Sequence, residues 1–153
     1  MPAISHVAHV VLAVRDPKAS AEWYSRVLGM EIMTYSPEID IAFVSFGKVD
    51  HDLGFIRAPE GAVLGSLPLS HIALLIEGGE EELSKHYRNL LDHGIELEFF
   101  SEHGLSKGFY FFDPDGYRLE LFFKTMNNED GMRFMREVGA VLDPYELEPA
   151  PSA

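Results

Sequence analysis

Residues 9–29 read "HVVLAVRDPKASAEWYSRVLG", and they carry a strand, a turn and a helix in one line. Residues 9–14, "HVVLAV", are β-branched and apolar, as a strand prefers. Asp16-Pro17 follows with an N-cap side chain and a residue pre-set for the first helical turn. Trp23, Tyr24, Val27 and Leu28 then fall on one face at helical spacing, which makes Trp23 a core residue, and Gly29 stands where a helix ends. "MEIMTY" (30–35), "DIAFVSF" (40–46) and "HDLGFI" (51–56) continue as three strands. The order is β-α-β-β-β.

The same order is written a second time. "HIALLI" (71–76) opens it, and a helix is expected from Glu80 to Asp92 with Leu83, Tyr87, Leu90 and Leu91 on its buried face and Gly94 after its end. "IELEFF" (95–100), "GFYFF" (108–112) and "YRLELFF" (117–123) complete it, with Asp113-Pro114-Asp115-Gly116 as a tight turn before the last strand. His9 and His71 occupy equivalent places, 62 positions apart, although identity between the halves is low. Two such modules, about 6–56 and 69–123, are expected to pair around a pseudo-twofold axis and bring the two opening strands together. The predicted fold is α+β, built from two paired βαβββ modules. A domain at 1–125 is followed by a helical extension and tail at 126–153, where Met132, Met135 and Val138 recur at spacing three.

Composition narrows the class of ligand. With 153 residues, 46% of them hydrophobic, the chain is the size of one domain with a real core. It has no cysteine, so any metal is held by nitrogen and oxygen. A net charge of −13 argues against nucleic acid, since phosphate binding needs clustered Lys and Arg, and gives no attraction to anionic lipid. No run is long enough to cross a membrane, and the N-terminus has no signal-peptide pattern, so a cytoplasmic protein is expected. A small molecule is the default partner.

Taken together, "HVVLAVRDPKASAEWYSRVLGMEI", "SHIALLI" and "GFYFFDPDGYRLELF" resemble the vicinal oxygen chelate superfamily, which includes glyoxalase I, fosfomycin- and bleomycin-resistance proteins, methylmalonyl-CoA epimerase and the extradiol ring-cleaving dioxygenases. The resemblance covers about residues 6–123 and implies that the two modules form a curved mixed-sheet cup around one divalent metal. It matches His9 and His71, each at the start of a module, and Glu120 on the last strand, to the metal ligands. Two imidazoles and a carboxylate leave open positions for substrate oxygens and, with iron(II), for dioxygen. Alternation in "Tyr117-Arg118-Leu119-Glu120-Leu121" turns Glu120 away from its leucine neighbours, where an unpaired carboxylate would be costly. His6 competes for the first ligand place, but His9 matches His71 in register.

Within the superfamily, glyoxalase-like members carry a fourth ligand on the last strand of the first module, whereas extradiol dioxygenases leave it open and place a non-ligating histidine nearby. His51-Asp52-Leu53-Gly54-Phe55 resembles that histidine motif, and Gly54 has no side chain with which to ligate. Tyr110 and His103 resemble an active-site tyrosine and the histidine that precedes it. The resemblance therefore implies an iron(II) extradiol dioxygenase acting on a catechol-type aromatic substrate and O2, with His51, Tyr110 and His103 catalytic and His9, His71 and Glu120 on the metal. The alternatives are a glyoxalase, epimerase or resistance enzyme using Mn, Zn, Ni or Co, with His51 or Asp52 as fourth ligand, and a binding protein without chemistry. His86 and His93 are expected to be solvated. A homodimer or higher homo-oligomer is expected, with ligands from one chain or, after module exchange, from two.

Overall fold

The computed structural model describes residues 7–65 and 69–152. It divides into two compact units, Met1–Leu64 and Gly65–Ala153. The first holds β1 (Val10–Val14), α1 (Pro17–Leu28), β2 (Glu31–Ser36), β3 (Ile41–Ser45) and β4 (Leu53–Arg57). The second holds β5 (Ile72–Leu75), α2 (Glu80–Asp92), β6 (Leu97–Glu102), β7 (Ser106–Phe112), β8 (Arg118–Lys124) and α3 (Asn128–Glu137). Strand order is β1-β4-β3-β2 in one sheet and β5-β8-β7-β6 in the other. In each, the opening strand lies parallel to the last and the remaining pairs are antiparallel. This is the α+β fold of two βαβββ modules, with a C-terminal helix after the second.

The helix signals act as their chemistry requires. Asp16 Oδ1 accepts the Ala19 amide at 2.9 Å, satisfying one of the first-turn donors. Gly29 takes φ +70° and Gly94 φ +71°, the left-handed conformation that glycine adopts without a Cβ clash and that turns each chain off its helix. The second helix has no side-chain N-cap; Glu82 Oε2 instead accepts the Gly79 amide at 3.1 Å. That bond holds the Glu82 carboxyl below its usual pKa.

Each helix covers one face of its own sheet. In the first unit Leu12, Val14, Ala42, Val44 and Phe55 are buried, and Tyr24 meets Phe55 at 4.8 Å between ring centroids. Trp23 is buried as expected, at 9% exposure. In the second unit Tyr87 of α2 meets Phe100 and Phe109, while Leu83 and Leu90 are fully buried. Because side chains alternate along a strand, the neighbours of these core residues face the other way, and that second face carries the chemistry. Both sheets also carry a β-bulge at matching places, between Ile32 and Thr34 and between Leu97 and Phe99. Among the described residues no helix is long and apolar enough to cross a membrane.

Candidate metal centre

In the second unit, β-pairing aligns a row of residues on the face away from α2. Ala73 pairs with Glu120, Glu120 with Tyr110, and Tyr110 with Phe99. His71, two residues before Ala73 and at the edge of β5, shares its side. The result is a polar cluster built from one end of a strand and two neighbouring strands. His71 Nε2 lies 3.3 Å from Glu120 Oε2, and His103 Nε2 lies 4.0 Å from Glu120 Oε1. The His71 ring meets Tyr110 edge-on at 5.3 Å, and Phe99 stacks on Tyr110 at 4.3 Å. Glu120 is 5% exposed, and its ion-pair partners among the described residues are these two histidines.

A buried carboxylate facing imidazoles, rather than lysine or arginine, suits a divalent cation: neutral imidazole and carboxylate are the donors that iron, manganese and zinc take. Among the described residues no three such side chains are gathered as a complete metal-binding group. The donor types nevertheless fit. Tyr110 is 6% exposed, and its phenol is pushed above the ordinary value first by burial and then by the negative charge of Glu120. It therefore stays a hydroxyl at neutral pH. The buried Ser101 hydroxyl also acts on the Tyr110 hydroxyl, and that hydrogen bond pulls its pKa the other way.

His103 is held at both ring nitrogens. Its Nδ1 lies 2.8 Å from the Val141 carbonyl oxygen and its Nε2 lies 3.3 Å from the Tyr110 hydroxyl. Val141 is a residue that sequence reasoning missed, because a backbone carbonyl carries no residue-type signal. Phe99 was only one of many strand phenylalanines until the β6–β7 register set it on Tyr110.

In the first unit the corresponding row is Val11, Gly54, Phe43 and Thr34, paired in the same order. Gly54 therefore stands where the second unit has Glu120, and Phe43 where it has Tyr110. His9 precedes β1 and is exposed; its ring centroid is 4.5 Å from that of His51, which meets Phe43 edge-on at 4.7 Å. His51 Nδ1 also lies 3.4 Å from Asp50. A methyl group built on Gly54 would lie 2.9 Å from Phe43 Cε1, so this ring occupies the space a side chain would need. Asp52 is spent on its own turn: its Oδ2 accepts the Phe46 amide at 2.8 Å and the Ser45 hydroxyl at 3.2 Å.

His6 lies outside the described residues. His93 is exposed as expected, but His86 is half-buried rather than solvated, because its face of α2 turns partly inward, and burial lowers its pKa.

Known proteins resemble the chain in the same sense. Residues 6–121 match a family model described as the Glyoxalase/Bleomycin resistance protein/Dioxygenase superfamily. Biphenyl-2,3-diol 1,2-dioxygenase 3 of Rhodococcus globerulus is 29% identical over 125 residues, covering 79% of this chain and 64% of its own. The chain thus spans somewhat less than two thirds of that relative. Biphenyl-2,3-diol 1,2-dioxygenase 2 of the same organism is 28% identical over 164 aligned positions, covering all of this chain and 85% of its own. Among solved structures, the fosfomycin resistance protein FosX of Listeria monocytogenes, complexed with Mn(II) and sulfate, superposes with a TM-score of 0.66 at 20% identity, covering 88% of this chain and 98% of its own.

Proposed function

This chain belongs to the glyoxalase/bleomycin resistance protein/dioxygenase superfamily, and on that premise we propose that it is an iron(II)-dependent extradiol dioxygenase opening a catechol-type aromatic ring with O2. The observation that carries the reading is Gly54. It occupies the register position that Glu120 holds in the second unit, so the first unit offers His9 but no carboxylate beside it. His9, His71 and Glu120 then make a three-ligand set for one metal, with manganese, zinc, nickel or cobalt as the alternatives to iron. Asp52, one of the two residues a glyoxalase-like enzyme would use as a fourth ligand here, has its Oδ2 engaged by the Phe46 amide and the Ser45 hydroxyl. The similarity to two biphenyl-diol dioxygenases supports the same choice.

Iron(II), when bound, supplies Lewis acidity and open positions for two catechol oxygens and dioxygen. The remaining roles fall to side chains of this chain. His51 gives and takes protons, the commonest work of imidazole in neutral solution. Its ring is already oriented by His9 and Phe43. Tyr110, kept protonated by burial and Glu120, accepts a hydrogen bond from a substrate hydroxyl. Phe99, stacked on Tyr110, restricts how that ring can turn. His103 holds the Tyr110 hydroxyl from behind.

The test is oxygen uptake by protein reconstituted anaerobically with iron(II), on a panel of substituted catechols. Uptake with a yellow ring-fission product, lost when zinc replaces iron, is the expected result. Protein that binds one metal per chain yet consumes no oxygen across a broad panel would overturn it and turn attention to hemithioacetal isomerisation and epimerisation.

A further inference from the structure

The C-terminal extension reaches the candidate site through its backbone. Residue Asp143 forms an antiparallel bridge with Glu102 of β6: the Glu102 amide donates to Asp143 O at 3.2 Å, and the Asp143 amide donates to Glu102 O at 2.8 Å. This bridge lays residues 140–143 beside His103, whose own amide is fixed by Ser106 O at 2.8 Å. The Val141 carbonyl then sits 2.8 Å from His103 Nδ1.

A carbonyl oxygen can only accept, so Nδ1 must carry the proton. In the neutral ring Nε2 is then a bare acceptor, and the hydrogen bond at 3.3 Å runs from the Tyr110 hydroxyl to it. Glu120 pulls the other way, since its carboxylate would favour a proton on Nε2. It lies at 4.0 Å, however, beyond hydrogen-bond distance, and the 2.8 Å bond to Val141 prevails.

We propose that the segment Ala140–Asp143 is a positioning strap that sets the His103 tautomer and, through it, the direction of the Tyr110 hydroxyl. With its proton turned toward His103, Tyr110 offers only oxygen lone pairs to a ligand. The site therefore takes a ligand that donates there, such as the hydroxyl of a catechol, in preference to one that only accepts, such as a carbonyl or phosphonate oxygen. Without the strap the proton moves to Nε2, which donates to Tyr110, and the phenolic O–H is released toward Glu120 or a ligand. The catalytic consequence rests on the dioxygenase reading; the tautomer does not.

The experiment reads the His103 ring nitrogens by long-range ¹H–¹⁵N NMR in metal-free, full-length protein and in a chain ending at Gly139, which keeps α3. The expected result is an Nδ1–H, bare-Nε2 pattern in the full chain and its loss in the shortened one. If the shortened chain fails to fold, Asp143→Pro, which deletes one bridge donor and keeps Val141, decides in its place. A protonated Nε2 in the full chain, or an unchanged pattern in the folded variant, would overturn the strap. With iron(II) and a catechol, the same variant is expected to lose kcat by on the order of tenfold to a hundredfold with KM nearly unchanged. Absence of turnover in every chain would sink the dioxygenase reading and leave the NMR result to stand or fall alone.

Discussion

At the scale of single residues, Gly54 and Glu120 show what one register position does in two sheets. Gly54 is small because Phe43 covers it, and His51 meets that ring edge-on. Gly54→Ala should cost about 1–3 kcal/mol, the usual range for forcing extra volume into a packed site; a urea midpoint equal to that of the parent would refute this. Glu120 has the opposite problem, a buried carboxylate whose ionic partners among the described residues are histidines. Burying such a group without a full partner is costly. Glu120→Leu is therefore expected to leave the metal-free protein no less stable by thermal unfolding while iron binding drops below one per chain. His51→Phe separates ligand from acid–base roles. It should keep the metal, counted by elemental analysis, and abolish oxygen uptake; loss of metal instead would place His51 among the ligands.

At the scale of elements, the two helices solve the same end problem by different means. The first uses the Asp16 carboxylate on the Ala19 amide, and Asp16→Ala should cost about 1 kcal/mol in a urea titration, the ordinary worth of an N-cap. No loss would mean that water replaces the cap without penalty. The second borrows Glu82 from inside its own first turn, a weaker signal that composition hardly shows. The strands tell a parallel story. Matching bulges at Met33 and Glu98, implied by the register shifts on either side of each, sit at the same step of both sheets. They keep Thr34 and Phe99 in the rows that lead to Gly54 and Glu120. No composition rule marks a bulge, because the extra residue is defined by the partner strand it fails to pair with.

At the scale of the whole molecule, acid sensitivity has a nameable source. His86 is half-buried on α2, and burial holds its pKa below the ordinary 6.5. The unfolded chain then binds the proton more readily than the folded one. The contribution is complete above about pH 6.5 and is lost as pH falls through the lowered folded value. His86→Leu should therefore flatten the fall in urea midpoint between pH 7 and the acid limb. A slope identical to the parent's would assign the sensitivity elsewhere. The net charge of −13 works in the other direction, since self-repulsion among carboxylates eases as they protonate.

The order of strands and helices, the cap at Asp16, the glycine stops at 29 and 94 and the turn at 113–116 were all legible in the chain, because each depends on neighbours within a few residues. So was the inward turn of Glu120, since a strand alternates by geometry alone. The parallel pairing of β1 with β4 and of β5 with β8 was decided only in three dimensions, and with it the equivalence of Gly54 and Glu120. The half-buried setting of His86, the stacking of Phe99 on Tyr110 and the grip of Val141 on His103 were decided there too. Each joins an atom to partners that its local sequence does not name. In the last case the partner is a backbone carbonyl, which every residue possesses and which only the bridge between Glu102 and Asp143 brings into place.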